Sequence, residues 1–237
     1  MTDKSEFENK RLIKEQIEYY RARAFEYDEW VFRRGRYDRG EQFRKQWLSE
    51  LETVHKALEL SQPGGWILEL ACGTGIWTER LVKRSKKLIA VDVSPEMLEI
   101  NRRRVKDNRV TYIEADLFLW QPTEIFDYIF FGFWLSHVPE IYFENFWQKI
   151  NRALKPNGKV FFIDSRFTQD STARDHAPLE DSGRAVRKLN DGREFNIVKL
   201  FYEPNKLKGK LDGLGWNGEI NVTKQFFIYG CVGRFIS

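Results

Sequence analysis

Apolar residues near the start of the chain recur at helical spacing. Ile13, Ile17, Tyr20 and Ala24 follow one another at intervals of four, three and four, so one face of a helix carries them all. Phe43, Trp47, Leu51, Val54 and Leu58 repeat the pattern and predict a second amphipathic helix. Between them lies WVFRRGRYDRG, basic and aromatic with two glycines, which reads as an exposed, mobile connection. Pro63, Gly64 and Gly65 then end the helix.

From Trp66 the texture changes to strand–helix alternation. WILELA is a short apolar strand, GIWTERLVKR a helix, and LIAVDV a second strand. Ser94 and Pro95 supply an N-cap and a first-turn proline for the helix EMLEINRRRV. VTYIEAD and FDYIFFGFW are the third and fourth strands. Residues 140–154 form a helix aligning Phe143, Trp147, Ile150 and Leu154, and Asn157-Gly158 turns into a fifth strand, KVFFID. Parallel strands joined by helices imply right-handed crossovers and an open α/β sheet covered on both faces. Beyond Asp164 the alternation stops. Residues 165–193 are polar and irregular, and REFNIVKLFY and TKQFFIYGCVGRF then predict an antiparallel edge pair completing the sheet. The expected organisation is an N-terminal helical cap over residues 1–62 and an α/β domain over 63–237, with residues 165–193 as a substrate loop.

Composition narrows the class. Of the 237 residues, 42% are hydrophobic and 31% charged, as in ordinary globular proteins. Aromatic residues reach 15%, which suggests a cavity lined by rings as well as a core. A net charge of +4 is too diffuse for a dedicated nucleic-acid binder. Cys72 and Cys231 form no Cys-x-x-Cys pair, so neither a zinc site nor a disulfide framework is expected. The charged opening segment lacks a secretory h-region, and no apolar run approaches the roughly 20 residues that cross a bilayer. A soluble, cytoplasmic protein without a bound metal is expected.

The chemistry concentrates in ILELACGTGIWTERL, where a strand runs into Gly73-Thr74-Gly75 and then a helix. Glycines permit a tight turn and close approach of backbone to ligand, and ligands of such sheets lie beyond the strands' carboxyl ends. Asp92 ends the second strand seventeen residues after Gly75, where a carboxylate accepts both hydroxyls of a ribose. The third glycine of a dinucleotide fingerprint would stand at position 78, but Thr78 does, with Trp77 beside it. Glu69 attracts an ammonium and repels a pyrophosphate. The loop therefore suits an amino-acid nucleoside better than NAD.

ELACGTG with Asp92, EAD at 114–116, FDYIFFGFWLSHVPE and LKPNGKVFFID together resemble the class I S-adenosylmethionine-dependent methyltransferases. The resemblance covers roughly residues 64–164 and implies a Rossmann-like, seven-stranded, mostly parallel sheet with an antiparallel C-terminal edge strand and an N-terminal helical lid. It implies that Glu69, Ala71, Gly73 and Gly75 cradle the methionine end of S-adenosylmethionine and that Asp92 binds the ribose. It places Met97 near the adenine, Asp116 and the Leu117 N–H on its edge, and Phe131 along the methionine. YYRARAFEYDEW resembles the lid of small-molecule methyltransferases of the glycine N-methyltransferase type, implying that Tyr20, Tyr27 and Trp30, with Arg36 a further candidate, close over the cofactor. Tyr20 and Trp30 equally fit plain helix–core contacts.

Methyl transfer from a sulfonium is an in-line displacement in which orientation carries most of the rate. His137, just past the fourth strand, is the expected catalytic contact, its alternative being a hydrogen-bonded loop histidine. Tyr19, Trp30, Phe133 and Trp134 would line an acceptor pocket suited to a hydrophobic or cationic metabolite. The motifs of base-, catechol- and arginine-methylating enzymes are missing from the sequence. A small-molecule N- or O-methyltransferase is the leading reading, with RNA modification the main alternative and NAD binding a lesser one. No membrane partner is expected.

Overall fold

The computed structural model describes residues 2–179 and 182–234, so positions 180 and 181 of the expected substrate loop and residues 235–237 of the last expected strand lie outside the described residues. Five strands form where the apolar runs require, with helices between all consecutive pairs except β3 and β4: β1 (Gly65–Leu70), β2 (Ser85–Asp92), β3 (Val110–Glu114), β4 (Phe126–Gly132) and β5 (Leu154–Ser165). All pair in parallel, with Leu68 opposite both Ile89 and Ile129. Two C-terminal strands, β8 (Trp216–Val222) and β9 (Phe227–Arg234), complete a seven-stranded sheet of order β3-β2-β1-β4-β5-β9-β8. β9 runs antiparallel to both neighbours, one position in from the edge. Strand order reverses between β1 and β4, and a crevice opens there at the carboxyl ends.

The pleat sends consecutive residues of β4 to opposite faces. Phe131 stacks on Phe162 at 5.7 Å in a core shared with Trp147 and Trp216, while Phe130 packs with Trp77 and Phe161 on the other face. The first face is covered by α6 (Phe143–Ala153) and α7 (Pro204–Gly213), through Phe146, Ile150, Leu207 and Leu211. The second is covered by α3 (Glu41–Leu60) and α5 (Pro95–Val105), through Trp47, Leu51, Val54 and Leu98. The Ser94 hydroxyl accepts from the Met97 N–H at 3.1 Å, so α5 starts where its capping residues predict.

Several elements depart from the sequence reading. The helix expected over GIWTERLVKR is a single turn, α4 (Thr78–Leu81), because Trp77 and Leu81 anchor the chain in the core on either side of it. REFNIVKLFY does not join the main sheet. Its core is β7 (Glu194–Val198), which pairs only with β6 (Arg184–Lys188) from within the segment expected to be irregular. This hairpin packs on α1 (Thr2–Ala22) through Ile197, Leu189 and Tyr19, a partner that local periodicity cannot reveal. α7 fills the interval that sequence pattern left as a short connector. The basic connection after α1 is only partly exposed: α2 (Tyr27–Phe32) runs into it, and Val31, Arg33 and Tyr37 are buried. The Arg33 guanidinium lies 3.3 Å from the Trp47 ring centroid and donates to the Ser171 carbonyl at 2.9 Å, which offsets its burial.

Candidate active site

The carboxyl ends of β1 to β4 supply the floor of a cavity enclosing about 630 Å³ including its mouth. Ala71 and Gly73 follow β1, Asp92 and Val93 end β2, Asp116 to Phe118 follow β3, and Gly132 to Trp134 end β4. Gln16, Ile17 and Tyr20 of α1, with Tyr27 of α2, form the opposite wall. Ala71 (φ 53°) and Phe133 (φ 56°) both hold the left-handed backbone conformation that side chains rarely adopt. Such strain at two adjacent strand ends is characteristic of ligand sites.

Asp92 is 8% exposed, and its carboxylate accepts from the Gly73 N–H at 2.8 Å and the Ser94 N–H at 3.0 Å. Burial raises its pKa against the opposing pull of these bonds. A Cβ on Gly73 would meet no atom within 4 Å, so this backbone faces open space. At Gly75 the same atom would stand 2.5 Å from Oδ1 of Asn101, so this glycine serves the close packing of α5 and is not part of the cavity wall. Glu69 lies beneath the loop, 1% exposed, with Oε2 unpartnered and its pKa pushed up to about 8 by burial.

Of the remaining expected cofactor residues, Met97 and Leu117 line this cavity, whereas Phe131 is enclosed between strand and α6. Trp30 and Tyr19 also stand elsewhere. Trp30 donates its indole N–H to the Ser171 carbonyl at 2.9 Å and borders a second cavity, and Tyr19 is wholly buried against Phe195 of the hairpin. Arg36 contacts Glu26, Asp175 and Asn190 instead of a cavity.

The second cavity lies behind the first, and Tyr20, Tyr27, Phe133 and His137 belong to both walls. Its far side carries Arg23, Arg187 and Lys199, with no Asp or Glu lining it among the described residues. Arg23 donates to the Tyr37 hydroxyl at 3.1 Å while its Nε lacks a partner. Arg187 is 8% exposed and donates to the Val186 carbonyl, and burial lowers its pKa. Lys199 donates to the Ser136 hydroxyl at 2.8 Å and stands 3.6 Å from Asp164 outside the cavity wall; burial brings its pKa down to about 8. None of these cations was singled out from sequence. Arg187 and Lys199 come from a hairpin whose approach to Arg23 is purely tertiary.

His137 bridges the two cavities in a fixed state. Its Nδ1 lies 2.7 Å from the Val198 carbonyl, which only accepts, so Nδ1 carries the proton. Nε2 then accepts from the Tyr20 hydroxyl at 2.8 Å. Burial foremost, then the Lys199 charge, holds the imidazole pKa well below its ordinary value.

Comparison with known proteins fits this geometry. A family model described as a methyltransferase domain matches residues 67–158. Demethylmenaquinone methyltransferase of Staphylococcus saprophyticus is 34% identical over 107 residues, which are 43% of this chain and 45% of that protein. The Bacillus cereus enzyme of that name is 30% identical over 111 residues, 44% of this chain and 46% of its own length. Each match thus spans less than half of the curated relative. The solved structure of DhpI in complex with SAH is 33% identical and superposes with a TM-score of 0.77 over 94% of this chain and 97% of DhpI. The chain belongs to the class I S-adenosylmethionine-dependent methyltransferases. A DhpI structure with SAM and HEP superposes equally well. The glycopeptide N-methyltransferase MtfA shares the fold, with a TM-score of 0.56 at 14% identity over 78% of this chain and 90% of its own. This methyltransferase uses S-adenosylmethionine, and its residues fit that group. An open glycine turn and a buried carboxylate on the floor suit a ligand with ribose hydroxyls. Among the described residues no helix is long and apolar enough to cross a membrane.

Proposed function

We propose that this enzyme methylates a small acidic metabolite whose anionic group sits on Arg23, Arg187 and Lys199. The carrying observation is the second cavity: three buried cations, no lining carboxylate among the described residues, and a wall shared with the cofactor cavity. Lys199 has Asp164 beside it, whereas Arg23 and Arg187 pair with no carboxylate among the described residues; charge buried without a partner is costly, and a bound anion relieves it. This departs from the hydrophobic or cationic acceptor expected from the aromatic residues, since those rings mostly build the core and the partition.

In this reading Asp92 accepts from the ribose, with Gly73 and Ala71 backing the methionine portion. Met97, Asp116 and Leu117 border the adenine, and Tyr20, Tyr27 and Trp134 exclude water. Bound S-adenosylmethionine supplies an electrophilic methyl on sulfur. The cation trio holds the acceptor so that its nucleophilic atom meets that methyl at the Tyr20–Phe133–His137 partition, and orientation supplies most of the rate. An acceptor that arrives protonated can pass its proton to the Tyr20 oxygen as Tyr20 passes its own to Nε2 of His137, which leaves a neutral tyrosine and an imidazolium. An ionised acceptor needs no such transfer.

The test is a methyl-transfer screen over small carboxylic, phosphoric and sulfonic acids, amines and neutral phenols. Turnover of acids, lost in Arg187→Met, supports the reading. Turnover restricted to amines and neutral compounds, or to RNA, rejects it.

A further inference from the structure

Tyr27 borders both cavities, and its two sequence neighbours are fastened to different parts of the molecule. Glu26 accepts from the Asn190 N–H at 2.9 Å and pairs with Arg36, which also donates to the Lys188 carbonyl at 2.7 Å. That side is tied to the β6–β7 turn. Asp28 is tied to the cofactor loop. Its carboxylate accepts from the Thr74 hydroxyl at 2.6 Å and from the Arg104 guanidinium of α5. Arg104 also donates to the Thr74 carbonyl at 2.9 Å and to the Thr74 hydroxyl at 3.2 Å.

Thr74 is the middle residue of the Gly73–Gly75 turn, 2% exposed, and it does not line the cavity. Its side chain therefore serves a purpose other than touching ligand. Its hydroxyl and its carbonyl are both engaged by Asp28 or Arg104, half-buried residues from two other elements. Charge-assisted bonds of this kind are short, directional and about twice as strong as neutral ones. The turn under the cofactor and the helix over it are thus joined through one carboxylate.

We infer that Asp28, Thr74 and Arg104 form a clasp that fixes Tyr27 against the cofactor cavity and slows release of cofactor and its demethylated product. They are positioning residues. The clasp transmits the shape of the glycine turn to α2: a ligand that orders the turn orders Asp28, and Tyr27 with it. Opening requires the Asp28 bonds to break together, so departure of ligand and swinging of α2 are one event. The inference depends on cofactor binding and not on the nature of the acceptor.

The experiment is stopped-flow release of S-adenosylhomocysteine, with trypsin cleavage at the arginines of residues 21–39 followed with and without that ligand. Thr74→Val keeps the shape and removes the hydroxyl; Thr74→Ser keeps the hydroxyl. Thr74→Val and Arg104→Gln are expected to release the product about tenfold faster, at the low end of couplings between sites. Ligand protection against trypsin should weaken in parallel, and Thr74→Ser should restore both. Should Thr74→Val not fold, Asp28→Asn carries the same expectation. Unchanged release rates in folded Arg104→Gln and Asp28→Asn, or faster release in Thr74→Ser equal to that in Thr74→Val, overturn the clasp.

Discussion

The Tyr20 hydroxyl donates to Nε2 of His137 over 2.8 Å, joining the first helix to the loop that follows β4. Because Nδ1 is committed to Val198 and burial keeps the ring neutral, this pair has one proton arrangement across the physiological range. Tyr20→Phe and His137→Asn should each lower kcat by about 10²-fold where the acceptor must lose a proton. The kcat profile should stay level as pH falls through 6.5, since a histidine with a lowered pKa gains no proton there. A break near that value, abolished by His137→Asn, would refute the assignment.

Lys199 titrates in the opposite part of the scale. Its pKa is lowered to about 8 by burial, so it is charged below that value and neutral above it. Acceptor KM should therefore climb as pH rises through about 8, while cofactor affinity does not follow. Lys199→Met should raise KM at pH 7 by about tenfold or more and flatten its pH dependence. Initial-rate measurements across pH 6.5–9.5 decide it.

Asp92 holds the glycine turn through Gly73 and the start of α5 through Ser94. Asp92→Ala should weaken cofactor binding by about tenfold or more and cost about 1–3 kcal/mol of stability, because two backbone donors lose a charged acceptor. Calorimetric titration with S-adenosylhomocysteine and urea denaturation measure the two effects separately.

Gly73 and Gly75 should answer differently to alanine. At Gly75 the new Cβ meets Asn101 at a φ of +90°, so the loss is of stability, about 2 kcal/mol. At Gly73 the Cβ meets open space at a φ of +50°, so the stability cost is about 1–2 kcal/mol and the main effect is weaker cofactor binding. Equal loss of affinity at both positions would contradict this division.

The parallel sheet, the cap at Ser94 and the cavity floor were legible in the sequence because each is written locally. Apolar runs mark β1 to β5, the glycine turn and Asp92 stand at their carboxyl ends, and Ala71 came with the family resemblance. Gly75 carried the right residue for a different reason, since the closeness of Asn101 is invisible along the chain. Glu69 and Phe131 stood at correct sequence positions, yet the pleat turns them away from the cavity. The cation trio was hidden most completely. Arg23 lay unremarked in the lid segment, β6 fell in a stretch read as irregular, and β7 was read as an edge strand of the main sheet because its packing on α1 is tertiary.

The division of labour between the sheet and the hairpin has a bearing on how such enzymes diversify. Arg187 and Lys199 hang from a small unit that shares no ladder with β1–β5, so its side chains can be exchanged without disturbing the backbone ladder of the main sheet. New selectivity could arise there by a handful of replacements, leaving the methyl-donating apparatus intact.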